Sequence, residues 1–183
     1  GQPVYPYQPD QIWEALAITK ERDFTYPASH GPDLYRRSLY TFWRRTVSPA
    51  NMFDAANRQT CTVRASQTST PLHALTTLND PTWVEAARVL AERSLKAADD
   101  LDGQLTHAFR HVLGRKPTGY DLDALKRMHA RQLDIYGTDL DAATQLLAVG
   151  ESPRDTALDP AGHAALTSVC LAIFNLDEAL TRE

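Results

Sequence analysis

Two cysteines in 183 residues leave little room for sulfur chemistry. Cys61 and Cys170 stand far apart, and neither belongs to a C-x-x-C or C-x-x-C-H arrangement. The sequence therefore encodes no thiolate zinc site and no covalent haem attachment. The pair either forms a disulfide or remains as two buried thiols acting as small apolar side chains, and the second reading is preferred. Long apolar runs are missing as well. The longest candidate, Val169 to Phe174, falls far short of the roughly 20 residues that span a bilayer. Glycine-rich phosphate loops are absent. Nor is there a basic excess: 19 Lys and Arg against 23 Asp and Glu give a net charge of -4, which argues against a general nucleic-acid binder. The opening Gly1-Gln2-Pro3-Val4-Tyr5-Pro6 has neither a charged nor an apolar region, so no signal peptide is expected there.

What is present suits a single domain with a proper core, since 43% of residues are hydrophobic and 23% charged. From Thr70 onward the pattern is helical. Thr70-Pro71 and Asp80-Pro81 each place a capping side chain before a proline at the first helical position. The second opens a helix to about Ala97, with Val84, Ala87, Ala91 and Leu95 on its apolar side. Gln104 to Leu113 follows, with the stripe Leu105, Ala108, Phe109, Val112 and Leu113, and stops at Gly114. Thr118 with Asp121 approximates a capping box for a helix to about Tyr136, ended by Gly137. Asp139 to Val149 forms another, ended by Gly150. Asp159-Pro160 caps a long last helix in which Leu166, Val169, Cys170, Ile173, Leu176 and Leu180 face inward. The fold class is mainly α: a bundle of five to six helices over 70–183, behind an irregular arm over 1–69.

That first part reads differently. Pro3, Pro6 and Pro9 favour an extended, strand-less arm. Asp10 caps a short helix to about Ile18, and residues 19–33 form a loop. Tyr35 to Thr46 fits either a strand or a helix, and its β-branched and aromatic content tips the reading to strand. Residues 47–69 look irregular, with a short strand around Cys61 to Arg64.

Several stretches taken in order resemble one family. They are Arg36-Arg37-Ser38-Leu39-Tyr40-Thr41-Phe42-Trp43-Arg44-Arg45-Thr46; Phe53-Asp54 with Arg58 and Cys61; Thr68 to Leu75 running into Leu78-Asn79-Asp80; Gly150 to Asp155; and Asn175-Leu176-Asp177-Glu178. The family is the planctomycete C-terminal domain of unknown function (domain of unknown function 1553). The resemblance implies a long secreted or envelope-associated parent, often with a haem-c-type cytochrome domain upstream and sometimes a carbohydrate-binding-like module. It also implies that the first helices of the domain precede Gly1. His73 stands where glutamine is usual and Ser69 where asparagine is usual. The family carries no established catalytic residues to transfer.

The strongest polar constellation is Arg37, Asp54, Arg58, Arg64 and Asn79. Arginine forks bind carboxylates and sulfates in paired geometry, so an acidic or sulfated sugar is one conceivable ligand, with Trp43, Tyr40 and Phe42 stacking on its rings. The preferred reading is structural: these arginines pair with Asp54, Asp80 and backbone carbonyls. His107 and His111 have ligand-compatible i, i+4 spacing, but no acidic residue completes an H-E-x-x-H pattern, and a solvated helix face is preferred. His129 falls on the apolar stripe of its helix, and His73 sits where it can serve the Thr70 cap. Ser38, Ser152 and Cys61 lack any nucleophile motif. Asp54 with Asp80 or Glu85 has no spacing that demands a glycosidase pair.

No reaction follows from these residues, so whether the chain is an enzyme stays open at this point. The leading expectation is a non-catalytic structural or interaction module, with no cofactor or metal within the chain. Its expected partners are other domains of its parent. One alternative is part of a polysaccharide-binding or polysaccharide-degrading protein; another is a redox partner of an upstream cytochrome domain.

Overall fold

A computed structural model describes residues 1–8, 26–42 and 70–180. The chain divides into two compact units, Gly1–Thr68 and Ser69–Glu183, and each is considered by itself. The expected Asp10 to Ile18 helix, the short strand around Cys61, and Thr46 with residues 47–69 lie outside the described residues.

In the second unit, proline opens three helices at the position where its missing N–H costs nothing. These are α1 (Pro71–Asn79), α2 (Pro81–Ala97) and α6 (Pro160–Phe174). Their caps work as the sequence predicts. Thr70 accepts from the His73 N–H at 3.4 Å, Asp80 from the Thr82 N–H at 2.8 Å, and Asp159 from the Gly162 N–H at 2.7 Å. Between them run α3 (Leu101–Leu113), α4 (Gly119–Thr138) and α5 (Leu140–Leu147), and the one-turn α7 (Asp177–Leu180) follows. The Thr118–Asp121 capping box is complete, with reciprocal bonds of 3.2 and 2.8 Å.

The bundle is built around α6. Its sequence, Pro-Ala-Gly-His-Ala-Ala-Leu-Thr-Ser-Val-Cys-Leu-Ala-Ile-Phe, is apolar around most of its circumference, as a helix enclosed by neighbours must be. Ten of its fifteen residues are buried. α2 and α4 are its main neighbours, with α5, α3 and α1 completing the enclosure. Leu166, Val169, Cys170 and Ile173 meet Leu90, Leu105 and Phe109 in the core.

Several boundaries differ from the sequence reading, each for a local reason. α3 begins one turn early because Asp100 caps it, accepting from the Gly103 N–H. Gly137 does not end α4; the helix runs through it to Thr138, and Asp139 serves both as its C-cap and as the N-cap of α5. The last helix breaks after Phe174. Asn175 leaves helical geometry there and its side-chain amide donates to the Ala74 carbonyl at 3.2 Å, so Leu176 ends up 40% exposed.

In the first unit the arm is anchored rather than free. Prolines on either side leave Val4 and Tyr5 as adjacent donors, and both are used. The Val4 N–H donates to the Tyr40 carbonyl at 2.8 Å, and the Phe42 N–H returns to the Val4 carbonyl at 2.7 Å. The Tyr5 N–H donates to Ser29 Oγ at 2.9 Å. Tyr5 packs against Tyr26 and Phe42, with ring centroids 5.6 and 4.8 Å apart. The strand expected from Tyr35 does not form over the described residues. Gly31–Tyr35 and Ser38–Tyr40 are 3-10 turns, and only Thr41 pairs, in a single parallel bridge to Val4. Of the aromatic side chains that suggested a strand, Phe42 packs instead against Tyr5 of the arm.

Candidate functional site

One polar stripe runs along α2. Glu85, Arg88, Glu92 and Lys96 are spaced three and four residues apart, which puts them on one helix face. All four hold the loop formed by residues 150–155. Glu85 is buried and accepts a short hydrogen bond from the Ser152 N–H. Arg88, 1% exposed, donates from Nη2 to the Ser152 carbonyl at 2.7 Å and stands 4.0 Å from Glu85. Further along, Glu92 accepts from the Asp155 N–H at 3.2 Å, and Lys96 bridges the Glu92 and Asp155 carboxylates at 2.8 Å each. Lys96 holds both of those carboxyls below their ordinary range, and they in turn raise its own pKa.

Gly150 makes this strap possible. Its φ of +88° is left-handed, and a Cβ there would collide with the Glu85 carboxylate. Beneath the strap, His163 is buried and its Nε2–H donates to the Arg88 carbonyl at 3.1 Å. Burial pushes the His163 pKa down, so the ring sits neutral in the core. Among the described residues, the Nε and Nη1 groups of Arg88 have no hydrogen-bond partner.

A second tie joins the far ends of the helices. Arg115 grips both Glu178 oxygens at 2.9 Å in a paired geometry, reaches Asp121 at 3.1 Å, and lies over the Phe109 ring at 4.8 Å. It thereby locks the α3–α4 turn to α7.

The histidines and the thiol are placed as follows. His107 and His111 share a face of α3, with ring centroids 4.2 Å apart. Burial, helped by the neighbouring His111 and Arg110, lowers the His107 pKa. His129 is half-buried, with its pKa lowered by burial. The His73 backbone N–H donates to the Thr70 cap. Cys170 is a free, fully buried thiol whose ionisation burial suppresses. Among the described residues no three His, Cys, Asp or Glu side chains converge as a metal cluster. A shallow groove of about 380 Å³ is lined by Trp83, Leu90, His111, Val112, Phe174 and Ala179.

Of the constellation read from sequence, Trp43, Asp54, Arg58 and Arg64 lie outside the described residues. Arg37 is exposed at the start of the second 3-10 turn. Its neighbour Arg36 does the anchoring, donating to the Gln2 carbonyl at 3.1 Å and lying 4.2 Å over Tyr40. Asn79 turns its amide back onto the Leu75 carbonyl of its own helix at 2.7 Å. Sequence reasoning passed over Arg88 and Glu92, gave His163 no role, and weighed Glu85 only as a conceivable glycosidase carboxylate. One signal pointed to Arg88: it falls on the stripe of Val84, Ala87 and Ala91, where a charge must be paired to be buried.

Residues 1–129 match the family described as PSD1, a protein of unknown function (DUF1553). The chain belongs to that family. Its resembling stretches at Gly150–Asp155 and Asn175–Glu178 lie beyond the matched span. No curated protein and no solved structure matches the chain.

Proposed function

We propose that this chain is a non-catalytic structural or interaction module of a larger envelope protein. One observation carries the reading: among the described residues, the resembling stretches of the second unit are committed to holding that unit together. Thr70 and Asp80 cap α1 and α2. Ser152 and Asp155 are strapped to α2, and Gly150 admits Glu85. Asn175 ties α6 to the Ala74 carbonyl, and Glu178 clamps Arg115. A side chain spent in this way is withdrawn from substrate chemistry.

An interaction role is supported by α1, which presents Leu72, Leu75 and Leu78 at 68%, 58% and 44% exposure. Their spacing sets these leucines along one side of the helix, and an apolar surface of that kind marks a contact with another protein part. Other domains of the parent chain are the partners this reading names, in a secreted or periplasmic setting.

The test is association of the purified chain with the separately produced remainder of its parent. A complex that is weakened at least tenfold by Leu72→Asp with Leu75→Asp, at unchanged helicity, is the expected result. Turnover of a glycan or ester by the chain, lost on Arg37→Ala, would overturn the reading in favour of the polysaccharide alternative.

A further inference from the structure

We propose that His107 and His111 form a two-histidine site for a borderline first-row transition-metal ion, such as nickel(II), copper(II) or zinc(II). Spacing alone does not decide between such a site and a solvated helix face. Hydrogen bonding does, because it fixes where each ring carries its proton. His111 Nδ1 lies 3.1 Å from the His107 carbonyl. A carbonyl only accepts, so Nδ1 is the protonated nitrogen. Ser94 is buried and donates its single hydroxyl proton to the Leu90 carbonyl at 2.8 Å. Its oxygen, 2.9 Å from His107 Nδ1, is therefore the acceptor of that contact, and His107 too is protonated on Nδ1.

In the neutral rings both Nε2 atoms consequently carry bare lone pairs, and neither has a hydrogen-bond partner among the described residues. Metal-binding histidines are set up in this way, with the second ring nitrogen donating to a carbonyl or similar acceptor that fixes orientation. The two rings stand one turn apart with centroids 4.2 Å from each other. His111 is exposed and His107 half-exposed, so an ion reaches them from solvent. Imidazole pairs suit nickel, copper and zinc, and solvent completes the coordination sphere.

Nickel(II) added to the untagged chain tests the site, with thermal unfolding as the readout. Metal that bridges one turn of α3 binds only the folded helix, so the unfolding temperature should rise with nickel concentration. His111→Ala removes one exposed ligand without touching the core, and it should weaken apparent nickel affinity at least tenfold. His129→Ala, on a different helix, should leave the nickel response intact. An unfolding temperature that nickel does not raise, or a rise that survives His111→Ala in full, overturns the proposal. Copper(II) bound to the same chain should show two imidazole nitrogens in its electron paramagnetic resonance hyperfine pattern; one or none also overturns it.

Discussion

At Gly150 the backbone turns through φ +88°, and the space where a side chain would begin is filled by Glu85. Gly137 is its opposite: it lies inside α4, and nothing stands within 4 Å of the position a Cβ would take. The two glycines therefore predict opposite outcomes for one substitution. Gly150→Ala should cost at least about 1–2 kcal/mol from the left-handed backbone, with the Glu85 clash added to it. Gly137→Ala should stabilise the chain by up to about 1 kcal/mol, because alanine loses less entropy on entering a helix. Urea unfolding of both variants checks this. A loss at Gly137 would mean that it terminates α4 after all, as its sequence position first suggests.

Along α2 the apolar and polar stripes carry different loads. The apolar one packs on α6, while Glu85, Arg88, Glu92 and Lys96 hold a loop 59 to 67 residues away in sequence. Burial decides what each contact is worth. Removing Arg88 breaks its buried pairing with Glu85 and takes the donor from the Ser152 carbonyl, so Arg88→Ala should cost about 3–5 kcal/mol. Lys96 is half-exposed and its ion pairs are shared with water, so Lys96→Ala should be barely measurable. Equal losses at the two positions would refute a ranking by burial.

This element also marks what a sequence makes legible. The caps at Thr70, Asp80, Thr118 and Asp159 are read directly because their partners lie two or three residues away. The core stripes of α2, α3 and α6 follow from periodicity. The strap does not, since Glu85 and Ser152 meet only once the bundle has closed. The strand expected from Tyr35 fails for a related reason. Aromatic residues favour strands on average, but Tyr40 and Phe42 are taken up by arm contacts that no local pattern announces. Of the expected site, Arg37 is exposed, and nothing in the sequence signals that its neighbour Arg36 makes the anchoring bonds.

At the scale of the whole bundle, the shifted histidines and carboxyls divide by burial into two sets with different acid limits. His107, His129 and His163 all have folded-state pKa values below the ordinary histidine value of 6.5, with burial the first cause in each. The unfolded chain therefore takes up protons before the folded chain does, and stability falls as the pH drops below about 6.5. His163 dominates, being 1% exposed and wedged under the α2 stripe. The carboxyls of Glu92, Asp121, Asp155 and Glu178 are also depressed, by Lys96, Arg115 and the Thr118 cap. Their stabilisation is present above the ordinary carboxylate value and fades only as the pH falls through their lowered ones. Acid should therefore weaken the bundle in two separate stages. Urea midpoints measured from pH 8 to pH 3 should begin to decline near pH 6.5, and to decline again below about pH 4. His163→Gln keeps a side-chain N–H for the Arg88 carbonyl but cannot titrate. It should flatten the first stage by at most one proton, about 1.4 kcal/mol per pH unit as the upper limit, and leave the second untouched. If the first stage persists undiminished in that variant, the core histidine is not what limits the fold in mild acid.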